Sequence, residues 1–260
     1  MSVDDRAIEL GPARQRCVLA ALAVDVDHVV SVDRLIQRVW GQDPPLRARA
    51  TLSNYLSRLR HALAGLDAVS VVRRSGGYLL AADPAAIDRQ RFHDLCAAAH
   101  TCAGHDRRVA ELLAEALGLW RGDALTGLGG EWAEVERNRL HQARLNAEGD
   151  YTEALLRLGH GEDLVAGLSA RTAEYPLDER VAAQYMLALY RSGRVADALN
   201  HYLRIRTHLL ENLGVDPEAR LCELHRQILA ADPTLAAPLS APLSGRVAAP
   251  AVEVPQLLSR

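Results

Sequence analysis

The sequence contains no lysine: all 30 of its Lys-plus-Arg residues are arginine. That absence excludes Schiff-base chemistry on a lysine amine and a phosphate-cradling P-loop, which needs a Lys. Phenylalanine occurs once, and aromatic residues make up 4% of the chain. The core must then be built from Leu, Ala and Val, a composition that favours helix. No Cys-x-x-Cys pair joins the four cysteines, Cys17, Cys96, Cys102 and Cys222. Long apolar runs are missing too. The longest early one, Val18 to Val24, stops at Asp25, far short of a membrane span. The opening Met-Ser-Val-Asp-Asp-Arg lacks the basic-then-apolar layout of a signal peptide. These features read as a cytoplasmic protein with reduced thiols and no membrane partner. Motifs of the form His-Glu-x-x-His, Gly-x-Ser-x-Gly and Gly-x-Gly-x-x-Gly are absent as well. The chain is therefore not expected to be an enzyme, and no cofactor is expected.

What is present divides into three parts. Residues 1–83 mix helical and strand patterns, 84–231 read as helix throughout, and 232–260 are rich in Pro and Ala, a linker or tail. In the first part, Pro12 can open a helix, whose apolar set is Cys17, Val18, Ala21 and Leu22. About ten residues precede it, room for one strand at Ala7 to Leu10. Ser31 is the expected N-cap of a second helix, with Leu35, Ile36, Val39 and Trp40 as its buried stripe and Gly41 at its end. The Pro44-Pro45 loop follows. A third helix runs from Arg47 to Leu63 on a Leu52, Leu56, Leu59, Leu63 stripe. Two β-rich runs, Val69 to Arg74 and Tyr78 to Leu80, flank Gly76-Gly77 and read as a hairpin. This order is that of a winged helix-turn-helix.

Charge supports the reading. Between Arg34 and Tyr78, eight arginines face only Asp43 and Asp67, a local net of +6 in a chain of net −3. Residues 84–230 hold 17 arginines against 22 acids. A basic module beside an acidic one suits a nucleic-acid binder with a regulatory domain.

The second part contains a repeat. Ala154-Leu155-x-Arg157-x-Gly159 recurs as Ala188-Leu189-x-Arg191-x-Gly193, 34 residues on, and Asp163 maps to Asp197. Thirty-four is the tetratricopeptide period, one helix pair per repeat. Further helices are expected over 88–101, 106–120, 131–148 and 217–230, the last with Asp216 as N-cap. The predicted fold class is thus mainly α: a winged helix-turn-helix with a C-terminal tetratricopeptide-like all-helical domain.

Several segments together resemble the Streptomyces antibiotic regulatory proteins (SARP). They are Leu35-Ile-Gln-Arg-Val-Trp40-Gly41, Pro44-Pro45, Leu56-Ser-Arg-Leu-Arg60 and Arg74-Ser-Gly-Gly-Tyr78 for an OmpR-type winged helix. Leu119-Trp120-Arg-Gly122, Glu174-Tyr-Pro176-Leu-Asp-Glu179, Met186 to Arg194, Ala196 to Leu199 and Leu213-Gly-Val-Asp-Pro217 resemble the family's bacterial transcriptional activator domain. The resemblance covers about residues 10 to 230. It implies a sequence-specific activator of a biosynthetic, secondary-metabolite gene cluster. Such a protein binds tandem repeats in double-stranded promoter DNA as a homodimer and recruits RNA polymerase through its sigma subunit, with the loop Gln42 to Leu46 as one candidate contact. Larger members continue past such a linker into an ATPase domain.

Within this frame the third helix is the recognition candidate. Its face opposite the leucines presents Thr51, Asn54, Tyr55, Arg58 and His61. Arg reads guanine and Asn reads adenine through paired hydrogen bonds. Arg60 lies off that face and suits a phosphate; Arg47 and Arg49 touch phosphate or are simply solvated. By the family pattern Arg74 is the wing residue for the minor groove, with Tyr78 packing or reaching a phosphate beside it. Trp40 belongs to the core. His93, Cys96, His100, Cys102 and His105 form a cluster of metal-ligating types, but packing is the simpler account and no metal is assigned. The competing reading is a tetratricopeptide-type adaptor that binds peptides without DNA; the basic hairpin argues against it. A helical domain holding a small ligand stays open.

Overall fold

The computed structural model describes residues 2–3, 6–7, 10–66, 68–102 and 104–236. It divides into two compact units, Met1–Ala97 with Leu119–Leu145, and Ala98–Gly118 with Asn146–Arg260.

The first unit begins with two short paired strands, β1 (Ser2–Val3) and β2 (Arg6–Ala7), antiparallel to each other. The expected single strand at Ala7 to Leu10 is thereby corrected. Then come α1 (Ala13–Val24), β3 (Val30–Ser31), α2 (Val32–Trp40), α3 (Ala48–Leu63), β4 (Val69–Arg74) and β5 (Gly77–Ala82). Pro12 is the N-cap of α1, not its first residue. The α2 cap is as expected: Ser31 Oγ accepts from the Arg34 N–H at 3.2 Å. The second sheet has the order β3-β5-β4, all antiparallel, with Val30 opposite Tyr78 and Arg74 opposite Gly77. Sequence reasoning missed β3, which is two residues long and carries no alternation to detect.

The helix stripes bury as expected, except that Ile36 and Trp40 of α2 are half-buried against the cluster. Val18, Ala21, Leu22, Leu35, Leu52, Leu56, Leu59 and Leu63 form one cluster with Val30, Val69, Val71 and Leu80. Leu128 and Ala133 belong to the same cluster, with Leu125 and Trp132 packed against it. Arg38 reinforces it. Its side chain is buried, donating to Asp25 Oδ2 at 2.6 Å and to the Ala21 carbonyl at 2.7 Å, with its guanidinium 5.5 Å from the Trp132 ring centre.

The helical part contains α4 (Asp88–Thr101), α5 (Asp106–Gly118), α6 (Glu131–Arg157), α7 (Gly161–Glu174), α8 (Glu179–Arg191), α9 (Val195–Leu213) and α10 (Ala219–Leu229). The helix expected to stop at residue 148 continues to Arg157. Gly149 does not break it: a Cβ there would lie 2.8 Å from the Arg180 guanidinium, so the glycine makes room for that side chain. The repeat is realised as two helix pairs. Ala154 and Leu155 on α6 are as buried as Ala188 and Leu189 on α8. Gly159 and Gly193 turn the chain at φ of 93° and 74°. The first turns of α7 and α9 carry equivalent pairs, His160 with Asp163 and Arg194 with Asp197. The last helix starts later than expected. Glu218, not Asp216, is its N-cap, and the Glu218 N–H donates to Glu179 Oε2 at 2.6 Å. The body also extends past residue 232, because Leu235 is buried in this unit's core. The remainder of the expected tail, 237–260, lies outside the described residues.

Candidate nucleic-acid interface

The leucine stripe of α3 fixes which residues of that helix face away from the core. Asn54, Arg58 and His61 are exposed and follow one another at steps of four and three, so they share one face. Two other residues expected there are placed differently. Thr51 is half-buried. Tyr55 is half-buried too and stacks on Trp40, ring centres 6.2 Å apart and planes 14° from parallel. Both aromatic rings pack against the core cluster. Tyr55 thus braces α3 on α2, and the exposed face narrows to Asn54, Arg58 and His61.

The basic residues sort by their partners. Arg38 is internal. Arg49 is exposed but paired with Asp33 at 2.5 Å. Arg60 is fastened to the hairpin: its Nε donates to the Val71 carbonyl at 2.9 Å, and its guanidinium lies 5.4 Å from the Tyr78 ring centre. This ties α3 to β4 and β5, and it accounts for Tyr78, which is half-buried beneath that cation. Arg34, Arg47, Arg58, Arg73 and Arg74 are exposed, and among the described residues no carboxylate pairs with them. Arg34 was missed in the sequence. Its signal was the Ser31 cap, which places it in the first turn of α2.

The hairpin turn assigns its two glycines different tasks. Gly76 has φ of +88°, which the tight turn requires. Gly77 has no positive φ; a Cβ on it would meet the Val30 carbonyl oxygen at 2.1 Å. It is glycine because β3 crosses close against β5. Arg74 pairs with Gly77 across the ladder, directly before the turn, and Arg73 with Tyr78.

The cysteine and histidine cluster separates by partners. His100 pairs with Asp150 at 3.1 Å. His93 lies edge-on to Phe92, its ring centre 5.7 Å away, and burial holds its imidazole below the ordinary histidine range. Among the described residues no group of three or more His, Cys, Asp or Glu is placed to hold a metal ion. Among the described residues no disulfide joins the cysteines. No described helix is long and apolar enough to cross a membrane.

A three-helix core with a β-hairpin wing, followed by helix pairs of tetratricopeptide type, is the architecture of a winged-helix transcriptional regulator. Comparison with known proteins agrees. Residues 5–80 match the family "Transcriptional regulatory protein, C terminal", and residues 87–229 match "Bacterial transcriptional activator domain". Regulatory protein DnrI of Streptomyces peucetius is 37% identical over 231 residues, covering 85% of each chain. Regulatory protein AfsR of Streptomyces griseus is 40% identical over 234 residues, which are 89% of this chain but 24% of that protein. The chain thus spans about a quarter of AfsR. A solved structure of Mycobacterium tuberculosis EmbR, in complex with a low-affinity phosphopeptide, superposes with a TM-score of 0.84 at 32% identity, over 92% of this chain and 64% of that one. The chain belongs to the SARP family of transcriptional regulators.

Proposed function

We propose that the chain is a sequence-specific DNA-binding activator of a biosynthetic, secondary-metabolite gene cluster. The observation that carries this is the exposed stripe Asn54, Arg58 and His61 on α3, flanked by the exposed arginines 34, 47, 73 and 74, which no carboxylate pairs with among the described residues. In this reading α3 lies in the major groove, where Asn54 and Arg58 make paired hydrogen bonds to base edges. Arg74 enters the adjacent minor groove from the wing, and Arg34, Arg47 and Arg73 hold phosphates. Arg49 joins them if it exchanges Asp33 for a phosphate. Arg60 and Tyr78 position the wing, and Tyr55 positions the helix.

The division into domains 1–83 and 84–231 follows the same reading, with residues 84–231 serving homodimer contacts on tandem repeats, Leu235 closing that domain's core and the remainder to residue 260 as linker or tail. Leu203, Leu210 and Leu213 on α9 support that role, being 55%, 58% and 59% exposed. The loop Gln42 to Leu46, with Leu46 fully exposed, suits a contact with the sigma subunit of RNA polymerase. These activities place the protein in the cytoplasm.

The test is genome-wide footprinting of the purified protein on its own genome. Protection of tandem repeats upstream of biosynthetic genes is the expected result. Protein that occupies no site above background, while folded, would overturn the proposal.

A further inference from the structure

A cavity of about 370 Å³ lies within the second unit, between the C-terminal end of α6 and helices α8 and α10. That volume is in the range of small-molecule sites. Leu156, Ala183, Leu187 and Leu224 supply its apolar wall. At one end Glu153 receives three cations: Arg180 at 3.0 Å, Arg220 at 3.2 Å and Arg157 at 3.4 Å. That end is compensated internally.

The α8 wall is not compensated. Gln184 lines the cavity, is 5% exposed, and donates from Nε2 to the Gly149 carbonyl at 2.8 Å. This bond fixes which way the amide faces. Its Oε1 is then buried with no hydrogen-bond partner among the described residues. A buried acceptor of this kind calls for a donor. Seven residues along the same helix, Arg191 also lines the cavity. Its Nε donates to the Leu235 carbonyl at 3.0 Å, and one Nη donates to the Leu156 carbonyl. A guanidinium has five N–H groups, so others remain. Among the described residues no carboxylate pairs with it, and burial pulls its pKa below the ordinary arginine value. Glu218 and Glu223 also line the cavity, but Glu223 is held by Arg226 and Gln227. A half-buried cation with spare N–H groups and no carboxylate paired to it among the described residues favours an anion.

We infer that this cavity binds a small amphipathic carboxylic acid: its carboxylate on Arg191, its apolar body on the leucines, and a distal hydroxyl or N–H donating to Gln184 Oε1. The seven-residue spacing on one helix sets the span, roughly 10 Å between the two polar ends. A straight eight-carbon acid with a terminal hydroxyl matches it. Such a ligand bridges α6, α8 and α10 and stabilises the helical unit. The inference does not depend on the DNA-binding proposal.

The experiment titrates the full chain with 8-hydroxyoctanoate, octanoate and methyl 8-hydroxyoctanoate by calorimetry and by thermal melting. The expected order is the hydroxy acid first. Octanoate, lacking the donor, should be weaker by about tenfold, the weight of one buried hydrogen bond. The ester, lacking the charge, should be weaker still. Gln184→Met should abolish the preference of hydroxy acid over octanoate, and Ala183→Phe should remove binding of all three. The ligand comparison on the unaltered chain needs no variant, so misfolding of either variant leaves the proposal testable. Absence of saturable binding of the hydroxy acid at about 5 mM would overturn it. So would equal binding of acid and ester, or an undiminished hydroxyl preference in a folded Gln184→Met protein; in the last case water satisfies Oε1. An acidic peptide displacing the hydroxy acid from the same cavity with higher affinity would overturn the small-molecule assignment.

Discussion

Five exposed arginines, at positions 34, 47, 58, 73 and 74, without a carboxylate partner among the described residues, set the expected response of DNA binding to salt. Each arginine bound on B-form DNA, whether at a phosphate or in a groove between phosphates, displaces condensed counterions, and log affinity falls against log salt by about 0.9 per charge neutralised. Five contacts give a slope of about −4.5, or roughly a 500-fold loss between about 50 and 200 mM salt. Fluorescence anisotropy of a labelled promoter fragment across that range measures it. Arg58→Ala or Arg47→Ala should each bring the slope to about −3.6. Arg49 is a separate question. Its pair with Asp33 is open to solvent on both sides, where such pairs are worth about 1 kcal/mol or less, so a phosphate can compete for it. A slope near −5.4 would mean that it does.

Arg38 supplies the control. It lies within the same basic segment of the sequence, yet its charge is spent internally on Asp25 and the Ala21 carbonyl. Arg38→Met should leave the slope unchanged and lower stability by about 1–2 kcal/mol, because the Ala21 carbonyl and the part-exposed Asp25 lose their hydrogen-bond donor. A slope shallower than about −2 for the unaltered protein, or a slope that changes in a folded Arg38→Met protein, would refute this partition of the arginines.

Arg58→Ala should weaken a cognate site more than random DNA, by about 1–3 kcal/mol; equal loss in paired titrations would demote Arg58 to a phosphate contact. Arg74→Ala should flatten any preference for A·T pairs in the flank beside the major-groove contact and leave the core motif intact; an unchanged flank preference would pass the role to Arg73. Gly77→Ala should lower the melting temperature sharply, since its Cβ would collide with the Val30 carbonyl, whereas Gly65→Ala, with nothing near its Cβ, should be tolerated. His201 is buried, and desolvation pulls its pKa from 6.5 down to about 4. The unfolded chain therefore takes up a proton below pH 6.5 that the folded chain refuses until about pH 4. Stability should fall across that window as pH drops, by about 3 kcal/mol in all. Denaturant titrations of wild type and His201→Gln should differ in this slope; identical slopes would refute it.

Much of the fold was legible because one face of each element is strongly apolar. The Leu52 to Leu63 stripe located α3, and the 34-residue repeat located the helix pairs and both turning glycines. The errors share a physical cause, in that the deciding contact is distant in sequence. Gly149 reads as a helix break until Arg180, 31 residues on, is seen to occupy the space its side chain would take. Gly77 reads as a turn residue until β3 is placed against it. The Pro217 start of α10 looked complete with Asp216 in front, yet the cap that forms recruits a carboxylate from Glu179. Nor could local pattern show that Leu128 and Ala133, some fifty residues past the hairpin, complete the winged-helix core.

The candidate interface was legible as a region but not residue by residue, and the absence of lysine explains why. With a single cation type, the sequence cannot separate charges that bind outward from charges that bind inward. Arginine's planar fork and aromatic affinity serve both uses. Arg38 and Arg60 meet carbonyl oxygens and aromatic rings of their own unit, and Arg49 meets a carboxylate. The local net of +6 therefore marks the module without saying which of its eight arginines face outward. The contributors that face solvent with no carboxylate partner among the described residues, Arg34, Arg47, Arg58, Arg73 and Arg74, lie on three separate pieces of chain. Arg34 comes from the first turn of α2, Arg47 and Arg58 from α3 and the residue before it, and Arg73 with Arg74 from the wing. A helical domain of the opposite net charge then lowers the long-range attraction of a polyanion outside this module. On the proposed DNA-binding reading, the acidic excess of residues 84–230 confines the pull on DNA to the winged helix.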